Sequence, residues 1–208
     1  MAIAGRLSTP FTLVISAIRP PRIPRSTPTY LLNGGLLQLR SFRSSPPWSS
    51  SEPRVCYRIA GSCSAKGHHF NGEKNTHNFD PAVQTAIGVA SGAKDHATKR
   101  RKARPESGED AFFASQVGST DSGAVAFAVA DGVGGWAESK VDPADFSHGL
   151  CNYMAQAALS WDAQERLRAK HLLQMGYNGV VADESIRAGG STACVGVAQS
   201  DGTVELAK

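Results

Sequence analysis

Three carboxylates and one glycine carry the chemistry that this sequence can be expected to perform. Glu109 and Asp110 begin one apolar stretch, and Asp131 ends the next, directly before Gly132. If the two stretches pair as antiparallel strands, the start of one lies beside the end of the other, so the three acids meet at one end of a sheet. Carboxylates at close range repel one another unless a cation neutralises them, and oxygen ligands favour a hard ion such as Mg²⁺ or Mn²⁺. A glycine lets the backbone approach such an ion closely, so the Gly132 carbonyl is a further candidate ligand.

Other interpretations of the glycine-rich stretch 132–136 fit less well. It lacks the third glycine of a dinucleotide-binding fingerprint and the lysine of a phosphate-binding P-loop. An EF-hand requires further acidic ligands after the first aspartate, and here Val, Gly and Trp follow. A pair of solvated, inert acidic residues at strand ends explains the local pattern as well as a metal site does.

The elements that must position these residues begin with a predicted hairpin. Residues 110–117 and 124–130 have strand composition, and residues 118–123 join them with turn chemistry. The second strand is apolar throughout, so we expect it to be buried on both faces. A further strand is predicted over 55–64.

Helices are predicted after the glycines. Asp142 is suited to cap a helix whose first turn contains Pro143 and which ends near Trp161. Gly176 is expected to end a second helix that begins at Ala163. The remaining predicted elements are a short helical piece over 182–187, a strand over 191–198, a turn over 199–202 and a returning strand over 203–207.

The first 52 residues differ in composition from the rest of the 208-residue chain. No acidic residue precedes Glu52, whereas arginine, serine, threonine and proline are frequent. This composition is typical of a mitochondrial transit peptide and predicts a matrix location; a disordered tail and a secretory signal are the alternatives. The apolar run 11–18 is too short to span a bilayer, so no stable membrane span is expected.

Residues 53–208 are predicted to form one domain, in which 65–107 is largely an irregular loop with a short candidate strand near 85–89. A net charge of +4 is mild, and the basic run 99–104 has no interleaved aromatic residues. We therefore expect a solvated loop and no nucleic-acid partner. Cys63 lies near His68, His69 and His77 in sequence, but without the paired spacing of a structural zinc site.

Four motifs together resemble the PP2C-type (PPM) metal-dependent protein serine/threonine phosphatases, and most of all their mitochondrial branch. They are SGEDAFF at 107–113, VADGVGGW at 129–136, VDPADFS at 141–147 and GGSTA at 189–193. The resemblance covers roughly residues 55–208 and implies an α+β fold, the α-β-β-α sandwich, with only its N-terminal part present. It also implies phosphoprotein substrates.

The resemblance assigns roles to individual residues. Asp131 would bridge two Mg²⁺ or Mn²⁺ ions, Gly132 would offer its carbonyl to one of them, and Asp110 would help to hold the metal site. Glu109 would act through metal-bound water. The nucleophile would be a water bridging the ions, so Asp110 and Asp131 are the catalytic candidates. Lys66 stands where the family places a basic residue for the substrate phosphate; a plain surface lysine is the alternative.

Two departures from the family pattern stand out. Val133 occupies the position where many members have a histidine that can protonate the leaving group, and valine cannot donate a proton. The family's remaining metal-binding aspartates lie beyond the region matching Lys208. The expected function is therefore hydrolysis of phosphoserine or phosphothreonine in proteins, with a truncated non-catalytic fragment or binding module as the alternative. The sequence does not indicate an oligomeric state. Trp136 is expected to pack behind the turn as a core residue.

Overall fold

The structure is a computed structural model that describes the strand at 12–18 and residues 55–89, 101–118, 122–162 and 165–208. It is a mixed α+β protein, as the sequence predicts. In chain order its elements are β1 (Thr12–Ile18), β2 (Cys56–Ser62), α1 (Gly72–Asn75), β3 (Thr76–Phe79), β4 (Ala86–Ile87), β5 (Asp110–Gln116), β6 (Val125–Asp131), a 3₁₀ helix (Gly134–Ser139), α2 (Pro143–Leu159), α3 (Ala169–Ala182), β7 (Cys194–Ala198) and β8 (Val204–Ala207).

The strands form two antiparallel sheets. The smaller has the order β1-β2-β3 and the larger the order β4-β5-β6-β7-β8. The predicted hairpin of β5 and β6 is confirmed, and β6 is paired on both edges, with β5 on one side and β7 on the other. The strand that ends on Asp131 is therefore central in its sheet.

The core lies on both faces of the larger sheet, because side chains alternate across a strand. On one face, alanines 126, 128 and 130 of β6 cluster with Leu150 and Met154 of α2 and with α3 residues. On the other face, Val125 and Phe127 cluster with Tyr57, Ile59 and Phe79 of the smaller sheet. The described layers are thus sheet, sheet and helices, and the predicted burial of β6 on two faces is confirmed.

The start of α2 follows the sequence prediction. Asp142 is the N-cap, its side chain accepts a hydrogen bond from the Ala144 amide at 3.0 Å, and Pro143 opens the first turn. Two arginines reinforce this end. Arg104 Nη1 lies 2.9 Å from Asp142 Oδ2 and also binds Asp145, and Arg101 Nε donates to Asp145 Oδ1 at 3.0 Å.

The expectation that the whole basic run 99–104 is solvated is wrong for Arg104, whereas residues 101–103 are exposed. The Arg104 side chain is only 17% exposed and its partner Asp145 11% exposed. The carboxylates at the N-terminus of α2 attract cations from the preceding segment and bury them in part. Residues 99 and 100 lie outside the described part of the chain.

The predicted end of the second helix at Gly176 is also wrong, because α3 continues to Ala182. Gly176 is buried, and a Cβ placed on it would lie 2.3 Å from Met154 Cγ and 3.3 Å from the carbonyl oxygen of Leu150. The glycine permits close contact between α2 and α3 and does not terminate the helix. The short helix predicted over 182–187 is not formed; α3 ends there and the chain turns.

Two segments contain more structure than the sequence predicts. Between 65 and 107, where a largely irregular loop is expected, the chain also forms α1 and β3, while the two-residue β4 lies within the strand predicted near 85–89. Within the predicted transit peptide, β1 pairs with β2 along its whole length, from Thr12 opposite Ser62 to Ile18 opposite Cys56. No helix among the described residues has both the length and the apolar character needed to cross a membrane.

Candidate active site

The two aspartates of the hairpin lie directly opposite each other. Asp110 is the first residue of β5, Asp131 the last of β6, and the strand register pairs them. Their carboxyl groups are close enough to share a hydrogen bond. Burial, the Asp131 charge and that hydrogen bond, with a smaller effect from Glu109, raise the pKa of Asp110 from 3.8 to about 6. The predicted meeting of these acids at one end of the sheet is present.

This pair has no cationic partner in the described part of the chain. None of the ion pairs formed there by lysine or arginine involves Asp110 or Asp131. Burial is the main cause of the raised pKa of Asp110, and the adjacent carboxylate without a counterion adds to it. The arrangement is electrostatically suited to a bound cation.

Glu109 lies beside this pair, with its carboxylate against the 3₁₀ helix. A Cβ placed on Gly134 would lie 2.7 Å from Glu109 Oε2, so the Glu109 carboxylate lies directly against this turn of the 3₁₀ helix. Among the described residues, no group of three or more His, Cys, Asp or Glu side chains is arranged to hold a metal ion. The structure thus brings together Asp110 and Asp131 as the immediate pair, with Glu109 as a neighbour.

Gly132 occupies the tightest position at the site. Its amide donates to the carbonyl of Glu109 at 3.2 Å. A Cβ on Gly132 would lie 2.4 Å from that same oxygen and 3.1 Å from the carbonyl oxygen of Pro143. These are backbone atoms that cannot move aside, so glycine is required where β6 passes between β5 and α2.

A loop before β7 fixes the backbone of Asp131. Ser191 Oγ and the Thr192 amide both donate to the Asp131 carbonyl, each at 2.9 Å, and the Asp131 amide lies 3.3 Å from Thr192 Oγ1. Ser191 and Thr192 fall within the strand predicted over 191–198, but both precede β7 and lie outside it. The end of β6 is therefore held in place independently of β5.

The start of β5 is held by polar side chains that sequence analysis did not assign. Ser147 Oγ donates to the Glu109 carbonyl at 2.6 Å, and His148 Nε2 lies 3.3 Å from the Gly108 carbonyl. Burial, and to a lesser extent the positive charge of Arg104, lower the pKa of His148 to about 4. The available signal was spacing: both residues lie on the apolar face of α2, where buried polar groups need partners.

Lys66 lies on the loop after β2 that approaches the same strand end. The Ala65 amide donates to the carbonyl of Glu106 at 3.0 Å, and a Cβ on Gly108 would lie 4.0 Å from the Lys66 amide nitrogen. The Lys66 side chain is exposed. This loop therefore passes beside the segment that leads into Glu109 and Asp110.

The turn after Asp131 places apolar side chains in solvent. Val133 is 47% exposed and Trp136 is 37% exposed. The expectation that Trp136 is a core residue is therefore wrong: it lies against Gly190, where a Cβ would be 3.6 Å from Trp136 Nε1. The 3₁₀ helix lies at the protein surface, and packing of Trp136 on a glycine leaves much of its ring uncovered.

The histidines that sequence analysis considered for zinc do not converge. His77 Nε2 is 3.6 Å from the sulfur of Cys63, while His68 and His69 are exposed. Burial, and next the charge of Asp110, raise the pKa of Cys63. Cys63 is thus a protonated, buried thiol near the acidic pair.

The residues present fit a hard divalent cation. Mg²⁺ is commonly bound through one or two carboxylates, with water and substrate phosphate completing its coordination. Asp110 and Asp131 supply such a pair, and the raised pKa of Asp110 is consistent with a site that favours positive charge. Softer metals would require nitrogen or sulfur ligands, which this pair does not offer.

Comparison with known proteins relates the chain to protein phosphatases of type 2C. Over 108 residues it is 33% identical to the mitochondrial protein phosphatase 2C homolog 7 of Saccharomyces cerevisiae, a stretch that covers 50% of this chain and 31% of the yeast protein. Over 91 residues it is 34% identical to the 5-azacytidine resistance protein azr1 of Schizosaccharomyces pombe, covering 44% of this chain and 29% of that protein. No family model and no solved structure matches the chain.

The chain spans less than a third of the length of these curated relatives. The resemblance to type 2C phosphatases is confirmed over about half of the chain. It is a similarity to part of each relative.

Proposed function

We propose that residues 53–208 are part of a PP2C-type phosphatase domain, which hydrolyses phosphoserine and phosphothreonine in proteins with the help of Mg²⁺ or Mn²⁺. The observation that carries this proposal is the Asp110–Asp131 pair, opposed in register and without a cationic partner in the described chain. The likeness to a type 2C phosphatase supports it independently. The fold of the whole domain would be the α-β-β-α sandwich.

In this function Asp110 and Asp131 hold the cation and keep it at the end of the sheet. A divalent ion there would lower the pKa of water and offset negative charge on the transferred phosphoryl group. Gly132 keeps the strand end close to β5, and its carbonyl is a candidate ligand. Glu109 accepts hydrogen bonds from water at the edge of the site.

Two further residues define how substrate is handled. Lys66, on the exposed loop beside Gly108, would attract the substrate phosphate as a point charge. Val133 cannot donate a proton, so protonation of the leaving serine or threonine oxygen falls to water or to another group. Phosphoproteins are thus the proposed partners, and no nucleic acid is needed.

An assay on the 208-residue chain tests this function. A phosphothreonine peptide should release phosphate in the presence of Mn²⁺, with no release in excess chelator and none from an Asp131→Ala variant. Glu184→Gln is the matched control, because it removes one exposed carboxylate outside the acidic site. Metal-independent release, or equal release by Asp131→Ala, would contradict the proposal.

A non-catalytic binding module is the second candidate. The absence of a third converging ligand in the described residues and the valine at position 133 favour it. Binding of a phosphothreonine peptide without any phosphate release, measured by calorimetry in the presence of Mn²⁺, would select this candidate over the phosphatase.

We also propose that residues 1–52 direct the protein to the mitochondrial matrix. Their acid-free, arginine-rich composition supports this, as does the likeness to a mitochondrial protein. Removal of the segment would detach β1 and leave β2 as an edge strand. Fusion of residues 1–52 to a fluorescent reporter should give mitochondrial fluorescence, and a diffuse cytosolic signal would refute the targeting role.

A further inference from the structure

The first turns of α2 hold the chain segment that leads through Glu109 into Asp110, the first residue of β5. Ser147 Oγ donates a hydrogen bond of 2.6 Å to the carbonyl of Glu109. The next residue, His148, places Nε2 3.3 Å from the carbonyl of Gly108. Adjacent residues of one helix therefore contact adjacent carbonyls of one strand entry.

A third side chain extends this arrangement to Asp110. Ser107 Oγ donates to the Asp110 carbonyl at 2.5 Å, and it lies 3.5 Å from His148 Nε2. A carbonyl oxygen only accepts hydrogen bonds, so Nε2 of His148 must carry the proton. Its N–H then points to Gly108 O and Ser107 Oγ together, and three successive carbonyls are fixed by side chains.

The helix that supplies these groups is itself anchored. Its N-terminal aspartates, Asp142 and Asp145, are bound by Arg101 and Arg104, and Ser147 is fully buried. Ser147 Oγ would also lie 3.2 Å from a Cβ on Gly132, so it sits between the two strand ends that carry the acids. The anchored helix thus lies against the backbone on both sides of the acidic pair.

We propose that Ser147 and His148 are positioning residues that set the separation of the Asp110 and Asp131 carboxylates for a divalent cation. This inference rests on the proposed metal-dependent function. An aspartate side chain is short, so a shift of the β5 backbone moves the Asp110 carboxylate relative to that of Asp131. Groups that orient metal ligands in this way commonly change metal affinity by about 10- to 100-fold when removed.

The test is Mn²⁺ affinity of the 208-residue chain, measured by titration calorimetry in the absence of substrate. Ser147→Ala and His148→Leu each remove a donor and should weaken Mn²⁺ binding about 10-fold or more. His148→Gln keeps an N–H that reaches the Gly108 carbonyl, so its affinity should stay within about threefold of the parent protein, on the scale of one retained hydrogen bond.

Two controls separate positioning from general stability. Ser160→Ala removes an exposed hydroxyl at the other end of α2, and His171→Gln removes an exposed histidine of α3. Both should leave Mn²⁺ affinity unchanged. Every titration is done well below the unfolding midpoint of the variant, so that a loss of affinity cannot reflect unfolded protein. Should His148→Leu fail to fold, Ser147→Ala and His148→Gln still decide the question.

The outcomes distinguish this inference from the function on which it rests. If the parent chain binds Mn²⁺ and Ser147→Ala and His148→Leu bind it equally well, the positioning role is overturned and the metal site stands. Equal losses in His148→Leu and His148→Gln would overturn the role of the His148 donor. If the parent chain itself fails to bind Mn²⁺, both the proposed metal-dependent function and the positioning role are contradicted.

Discussion

Asp110 and Asp131 face each other across the β5–β6 ladder, with carboxyl groups close enough to share a proton. In the metal-free chain this contact opposes folding, because two charges of the same sign are held together in a partly buried place. The feature that suits the site to a cation is thus a source of instability without one.

Asp110→Asn should therefore stabilise the metal-free protein. Because the folded pKa of about 6 lies above the ordinary 3.8, the pair costs stability above pH 6, and this cost is relieved as the pH falls through 6 towards 4. A pKa difference of about two units corresponds to about 3 kcal/mol at full strength. Asp110 is only partly buried and solvent screens much of this energy, so at pH 7 the variant should gain on the order of 1 kcal/mol in free energy of unfolding.

Urea unfolding of both proteins at pH 5 and pH 7 in chelator measures this gain. It should be largest at pH 7 and shrink at pH 5, and Mn²⁺ should reverse the order by stabilising the parent alone. Glu184→Gln provides the reference for loss of one negative charge. A variant less stable than the parent in chelator at pH 7 would contradict this explanation.

His148 should make the protein sensitive to acid. Its folded pKa of about 4 lies below the ordinary 6.5, so between these pH values His148 is protonated in the unfolded chain and neutral in the folded chain. Stability from this residue is complete above pH 6.5 and falls as the pH drops towards 4, by roughly 2–3 kcal/mol in total. His148→Gln should flatten this part of the unfolding profile between pH 6.5 and 4. The same steep loss in His148→Gln as in the parent would exclude His148 as its source.

Gly132→Ala should destabilise the protein strongly. The new Cβ would press on the carbonyl oxygens of Glu109 and Pro143, which belong to the backbone directly before β5 and to the first turn of α2. We expect a loss of about 2–4 kcal/mol, in the range of severe overpacking. Gly135→Ala is the matched control three residues later, since its Cβ would meet nothing within 4 Å. Thermal unfolding of both variants gives the comparison, and similar midpoints would refute the steric explanation.

Arg104→Gln should cost more than a surface ion-pair deletion. Arg104 bridges Asp142 and Asp145 and is largely buried, so its loss removes the bridge and leaves the Asp145 carboxylate with Arg101 alone. The expected loss is about 1–3 kcal/mol. Arg168→Gln breaks the pair with Glu205, in which Arg168 is 67% exposed, and should cost less than about 1 kcal/mol. The two variants are compared by urea unfolding at low and high salt; equal losses would show that burial of Arg104 adds nothing.

The parts of the site that could be predicted from sequence depend on local regularity. The β5–β6 hairpin follows from strand composition and turn residues, and the meeting of Asp110 with Asp131 then follows from antiparallel geometry alone. The cap at Asp142 is likewise a local signal. These features require no knowledge of what packs against the hairpin.

The remaining features depend on contacts between distant segments. Gly176 has the sequence signature of a helix end, yet its position opposite Leu150 and Met154 makes it a packing residue. Arg104 belongs to a basic run that sequence alone predicts to be solvated. It is partly buried because Asp145, 41 residues later in the chain, lies beside it in the fold. Ser147 and His148 acquire partners only when α2 lies across the start of β5.

The central place of β6 has a consequence for how such chains can vary in length. A single-residue deletion inside β6 would exchange its two faces, break its ladders with both β5 and β7, and carry Asp131 away from Asp110. An insertion between Gly118 and Gly123 lengthens only the connection at the opposite end of the hairpin and leaves the acidic end unchanged. Natural variants of this chain should therefore differ in the length of that connection, while the spacing from Val125 to Asp131 stays fixed.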